Sequence, residues 1–258
     1  MRYIKSIFLC VFFVGTYNHS VGQITANRSF YDKLKTYDLS KVINPDSIID
    51  DINEKFKRPE PLGFIGPVFQ RFQIHFSSFK KNKDNPFEYG VTGKTKVNDN
   101  ICSFSGTITI TSATYDTSGL MKDIGFPLYK GGYITSKVVL YEDKSDNGSG
   151  SIKGELTTEV YFDENGKLFY QALMLISDGF ANNQFEGSWT SYATGKVKKC
   201  NWGDFRIPDS GNLDNGTGEF AVSDEYVNNG WANYELAYHS DKPENKKARE
   251  KESEQWWQ

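Results

Sequence analysis

The chain has 258 residues, a formal net charge of −3 and aromatic side chains at 15% of its positions. That acidic balance excludes a polyanion binder whose affinity comes from neutralising phosphates, so no nucleic-acid partner is expected. The aromatic content suffices for a sizeable core or an aromatic-lined cavity, and the length suits one β-rich domain or two small ones.

Residues 1–22 have the layout of a cleavable secretory signal. Arg2 and Lys5 precede the apolar run IFLCVFFVG, and the small residues Ser20 and Gly22 stand ahead of Gln23. A spanning helix needs about 20 apolar residues, more than this run supplies. Cys10 follows Phe8 and Leu9, which does not match the pattern of a lipid-anchored cysteine. Cleavage near Gly22 is therefore expected, giving a secreted, periplasmic or cell-surface protein with no membrane span and a net charge of −5.

Residues 23–67 read as an N-terminal extension. Within NPDSIIDDINEKFKRPEP, Ile48, Ile49, Ile52 and Phe56 fall at i, i+1, i+4 and i+8 between an Asp-Ser start and the Pro59/Pro61 stop. This spacing predicts one short amphipathic helix, whose apolar stripe would plug or lap the end of whatever follows.

From Val68 the apolar period changes to two. Phe72, Ile74 and Phe76 alternate with Arg71, Gln73 and His75, and Phe87, Tyr89, Val91 and Val97 alternate with Glu88, Thr92, Lys94 and Lys96. After the NDN turn come Cys102, Phe104, Ile108 and Ile110, then the strand YITSKVVLYE. SIKGELTTEVYF and KLFYQALMLIS follow as a hairpin closed at DENG, and segments 184–192 and 196–207 complete the set. Eight consecutive antiparallel strands predict a mainly β fold: an eight-stranded up-and-down barrel over 68–208, in which closure removes exposed edges. A two-layer β-sandwich is the alternative.

A C-terminal helix is expected to close the fold within 209–239, where Tyr226, Val227, Trp231, Tyr234 and Tyr238 recur at three- and four-residue steps. Asn228, Asn229 and Gly230 are poor helix formers and oppose it. Residues 240–258 form a charged tail ending in Trp256 and Trp257, free to dock on the body or on a partner.

Gly187-x-Trp189 in FEGSW resembles the Gly-x-Trp of lipocalins, and an eight-stranded barrel behind an export signal is similar to the calycin group of lipocalin- and avidin-like binders. In lipocalins the glycine lets the tryptophan pack across the barrel floor. The resemblance covers architecture over about 68–207 and implies a secreted binder without assigning any ligand contact.

Neither a cofactor nor a metal is expected. The chain has neither HExxH nor paired CxxC, and the calcium-loop-like Asp143-x-Ser145-x-Asn147-Gly148 places Gly154 where a bidentate Glu is required. Past the signal, His75 and His239 are the histidines, and neither accompanies a nucleophile elbow, so no catalytic residue is assigned. Cys102 and Cys200 could form a disulfide in an oxidising compartment, although an up-and-down barrel would place them on strands three and eight, which are not neighbours.

Three function classes follow. The first is a small-molecule binder taking an apolar or aromatic ligand, with Phe72, Tyr89, Phe104 and Trp189 lining the interior because they share the apolar parity of their strands. Trp202, Asp204 and Arg206 are spaced two apart on one strand and add a polar spot to it. The second is an envelope or extracellular interaction protein with no ligand and an unknown protein partner. The third is a small-molecule enzyme on the same barrel.

Overall fold

The structure is a computed structural model that describes residues 15–240 and 242–258. Of the expected signal, residues 1–14 lie outside the described residues, and for 15–22 only the helical backbone is described. No described helix is long and apolar enough to cross a membrane.

Helix α1 (Gly15–Lys33) runs through a 3-10 turn at Leu34–Thr36 into α2 (Ser40–Ile43). Phe30, Leu34, Leu39, Val42 and Ile43 on these turns are all buried in the main core. Their partners lie at one end of the sheet: Phe30 stacks on Tyr115 and meets Phe162 edge-on, and Tyr89 Oη accepts the Leu39 N–H at 3.0 Å. The plug exists, but it is formed upstream of the segment expected to supply it.

That segment, 48–56, is a hairpin and not a helix. It pairs β1 (Ser47–Ile49) with β2 (Lys55–Lys57). Asp50 captures the turn by accepting the N–H groups of Ile52 and Glu54, and Asn53 takes a positive φ of 63°. With period two, Ile48 is buried against Tyr170 and Ala172 while Ile52 is left 73% exposed at the turn. The apolar letters fit either period, and the Asp-turn decides between them.

The main sheet is built from β3 (Leu62–Ile65), β4 (Gln70–Arg71), β5 (Gln73–Lys81), β6 (Glu88–Val97), β7 (Asn100–Tyr115), β8 (Lys130–Glu142), β9 (Gly150–Phe162), β10 (Leu168–Tyr170), β11 (Asn182–Ser191) and β12 (Val197–Asp204). Nine strands follow one antiparallel path, β4-β3-β12-β11-β9-β8-β7-β6-β5, with β10 attached to β9 beside it. The expected closed eight-stranded barrel is therefore corrected to a curled nine-strand half-barrel, and the sandwich alternative is replaced by one continuous sheet. The path ends at β4 and β5, which no ladder joins. These two edges nevertheless belong to one stretch of chain interrupted at Phe72, whose N–H bonds back to Gly63 of β3 at 2.9 Å. Two shorter strands thus replace the first long strand expected from the sequence, and the sheet starts at Leu62 rather than Val68.

The expected sixth strand, 167–177, keeps only Leu168–Tyr170 before the chain leaves in turns. Its apolar Leu173 faces a separate outer cluster with Met121 and Tyr161, which explains why that stretch is apolar on both parities. Curling depends on paired glycines: the Phe185 ring lies over Gly154 and Gly187, where an added Cβ would come within 2.6 and 2.4 Å of it.

Outside β3, Phe64, Leu213, Phe220, Tyr226 and Trp231 form a second core. The aromatic stripe of the C-terminal region is core-facing, but Gly230 at φ 90° splits the expected helix into short turns followed by α4 (Ala232–Tyr238). The charged tail docks on the body. Its helix α5 (Asn245–Glu252) places Glu252 in a two-pronged bond to Arg71 at 2.9 and 2.6 Å, and Trp257 stacks on His75 at 3.9 Å.

Burial pushes the Glu252 carboxyl up, but hydrogen bonds and charge from Arg71 outweigh it and hold it below the usual range. A depressed folded value makes the contribution of Glu252 complete above the ordinary glutamate range, near 4.3, and lost as pH falls through the folded value. Hydrogen-exchange protection of the α5 amides, corrected for intrinsic rate, should accordingly fall on acidification below about pH 4. Glu252→Gln should show the weakened protection already at neutral pH; unchanged protection in that variant would contradict the latch.

Candidate functional site

Four hairpin turns gather at the end of the sheet opposite the plug: β3 to β4, β6 to β7, β8 to β9 and β11 to β12. Between them lies a cavity of about 390 Å³, within the usual size range of small-molecule sites. Ile65, Phe72 and Val97 supply apolar wall, Trp189 an aromatic one, and Thr95, Cys102, Glu142 and Lys198 the polar groups.

Glu142 is the unusual member. The alternation Ile134, Ser136, Val138, Leu140 along β8 faces the interior, and Glu142 continues it at the strand's last position with only 5% exposure. Three neutral donors hold its carboxylate. The Thr95 hydroxyl donates to Oε1, while the Gly150 N–H and the Trp189 indole N–H donate to Oε2 at 2.7 and 2.8 Å. Gly150 makes room for the indole, since a Cβ there would stand 2.5 Å from the Trp189 ring. The Lys198 ammonium sits over the same ring, 5.6 Å from its centroid.

Cys102 lies on this wall with its Sγ 3.4 Å from Asn100 Nδ2, and burial, then the Glu142 charge, pushes its thiol up to about 11. It is therefore a poor nucleophile at neutral pH. Cys102 and Cys200 are free, buried thiols. The disulfide is absent because β7 and β12 are separated in the sheet by β8, β9 and β11.

Below the cavity the interior is filled. Trp202 stacks on Phe185 at 3.6 Å, and Phe72 lies 6.0 Å from Trp202. At the plugged end a void of about 20 Å³ is bordered by Trp202, Asp204 and Arg58. There the fully buried Asp204 receives Arg58 Nη1 at 2.7 Å, Asn183 Nδ2 at 2.8 Å and Tyr170 Oη at 3.0 Å. Burial pushes the Asp204 carboxyl up, and Arg58, Asn183 and Tyr170 pull it back. Arg58 also reaches Pro45 O and Asn44 Oδ1, so this cluster fastens the N-terminal segment to the sheet.

No family model, no curated protein and no solved structure matches the chain.

Of the residues expected to line a ligand site, Phe72 and Trp189 come together at the cavity. Tyr89 and Phe104 are packed in the filled core, where Trp202 stacks on Phe185 and does not border the cavity. Asp204 and Arg206 do not share a spot. Phe205 takes a positive φ of 67°, which ends the strand alternation, and Arg206 turns away to the Gly216 and Glu219 carbonyls. The glycine beneath Trp189 is Gly150 and not Gly187, so the Gly-x-Trp pair does not pack as the lipocalin resemblance implies. The calcium-loop-like stretch forms an Asx turn, with Asp143 Oδ1 accepting the Ser145 N–H and hydroxyl. Glu142 escaped the sequence reading because YITSKVVLYE carries apolar residues on both parities, and its last letter also reads as the first of a polar turn.

Proposed function

We propose that this chain is a small-molecule-binding protein that works after export, in the periplasm, at the cell surface or outside the cell. The observation that carries the reading is the cavity of about 390 Å³ at the hairpin end, where apolar walls surround one buried, hydrogen-bonded carboxylate. Ligand sites have this composition: mostly apolar lining for affinity and a few fixed polar groups for orientation. The filled core beneath it and the helical plug at the other end make a rigid base for such a site.

Native mass spectrometry of protein purified from its own host tests the reading. A population carrying a reproducible extra mass of small-molecule size is expected, and Trp189→Ala should lose it. A bare chain mass under gentle ionisation would favour the interaction protein that uses no ligand.

A further inference from the structure

We infer that the cavity selects a cation: its ligand carries a protonated amine on an aromatic or aliphatic body small enough for about 390 Å³, with the amine seated against Glu142. The inference rests on the binding reading above and adds the ligand's charge.

Glu142 has taken a carboxylate out of water, which is costly unless the charge is paired or well hydrogen-bonded. Its partners are a hydroxyl, an amide N–H and an indole N–H, all of them neutral. Among the described residues no lysine, arginine or histidine forms an ion pair with it. Of the two other buried acids, Asp204 has Arg58 at 2.7 Å, whereas Asp50 closes its own turn by accepting the Ile52 and Glu54 N–H groups; Glu142 alone of the three borders the cavity of about 390 Å³. A carboxylate has about four acceptor positions, and the three donors leave one for a ligand N–H.

The neighbouring surface favours the same chemistry. Trp189 presents an indole ring on the cavity wall, and a ring face attracts cations. Lys198 already exploits that ring from the rim, where its side chain is exposed. An incoming amine can displace it to solvent at little cost, because both charges remain solvated or paired. An anionic ligand would instead bring like charge toward Glu142, which is strongly unfavourable in a partly dry site.

The test compares ligands of one shape and three charges on the full exported chain: tryptamine, its neutral analogue tryptophol and the anion indole-3-propionate. The same comparison is made with phenethylamine, 2-phenylethanol and 3-phenylpropionate. Calorimetry at neutral pH should show the amine of at least one series binding about tenfold or more tighter than its neutral and anionic counterparts. Glu142→Gln should remove that preference, so that the amine binds within about twofold of its neutral counterpart in the variant.

The wild-type series alone is decisive if the variant does not fold. Equal binding across charge, or tighter binding of the neutral or anionic member, overturns the cation inference and leaves the binding reading standing. If no compound binds at millimolar concentration the inference is overturned, and an extra mass in the native spectrum then still supports a ligand of another kind.

Discussion

Replacing Asp204 with alanine is expected to lower the unfolding free energy by about 3–5 kcal/mol, the usual cost of breaking a buried ion pair from one side. The carboxylate is fully buried, and its removal strips Arg58 of its anion while Asn183 and Tyr170 lose an acceptor. Arg58→Ala should cost a similar amount, because it leaves the buried Asp204 without a cation, held only by the neutral Asn183 and Tyr170 donors. The double variant should cost clearly less than the two losses added together, since neither partner is then stranded. Urea unfolding of the four proteins gives all three numbers. A loss below about 1 kcal/mol in Asp204→Ala would place the pair at the level of a surface salt bridge and remove it as the fastener of the N-terminal segment.

Phe30→Ala is expected to be comparably damaging, at about 3–5 kcal/mol. Phe30 is fully buried, stacks on Tyr115 at 4.6 Å, meets Phe162 at 5.2 Å and occupies the space over Gly132. Its truncation leaves a cavity at the plugged end that rigid strand ends cannot collapse into. The same variant should leave ligand affinity at the opposite end almost unchanged where the protein remains folded. A small loss in urea unfolding would mean that α1 lies on the sheet without completing its core.

Much of the sheet was legible in the sequence because one face is wet. Along β6 and β7, buried Tyr89, Val91, Cys102, Phe104 and Ile108 alternate with polar residues as the period-two reading requires. Closure was not legible. The break at Phe72 depends on where its N–H finds a partner, and nothing in RFQIHF distinguishes a bond to β3 from one to β6. The hairpin at 47–57 was misread for a related reason: apolar spacing allowed a helix, and the side chain of Asp50 decided against it.

The candidate site divides in the same way. Parity correctly turned Phe72 and Trp189 inward, but it says nothing about which inward side chains meet a void and which fill one. Tyr89 and Phe104 share that parity and are packed under the plug and against Gly93. Arg58 carried no sequence signal as the partner of Asp204, lying 146 residues away in a segment read as a helix. His75 lies on the face opposite Ile74, where the Trp257 ring covers it and Glu60 holds it at 3.1 Å.

The hydrogen bond from the Trp189 indole N–H to Glu142 supplies the most direct measurement. The chain has five tryptophans, so a nitrogen-15 correlation spectrum carries five indole N–H signals, and Trp189→Phe identifies one of them. On titration with tryptamine, the Trp189 signal should move saturably while those of the core residues Trp202 and Trp231 stay in place. A Trp189 signal that does not respond to any of the amines, or that moves only together with the docked tail signals of Trp256 and Trp257, would contradict a ligand site at the hairpin end.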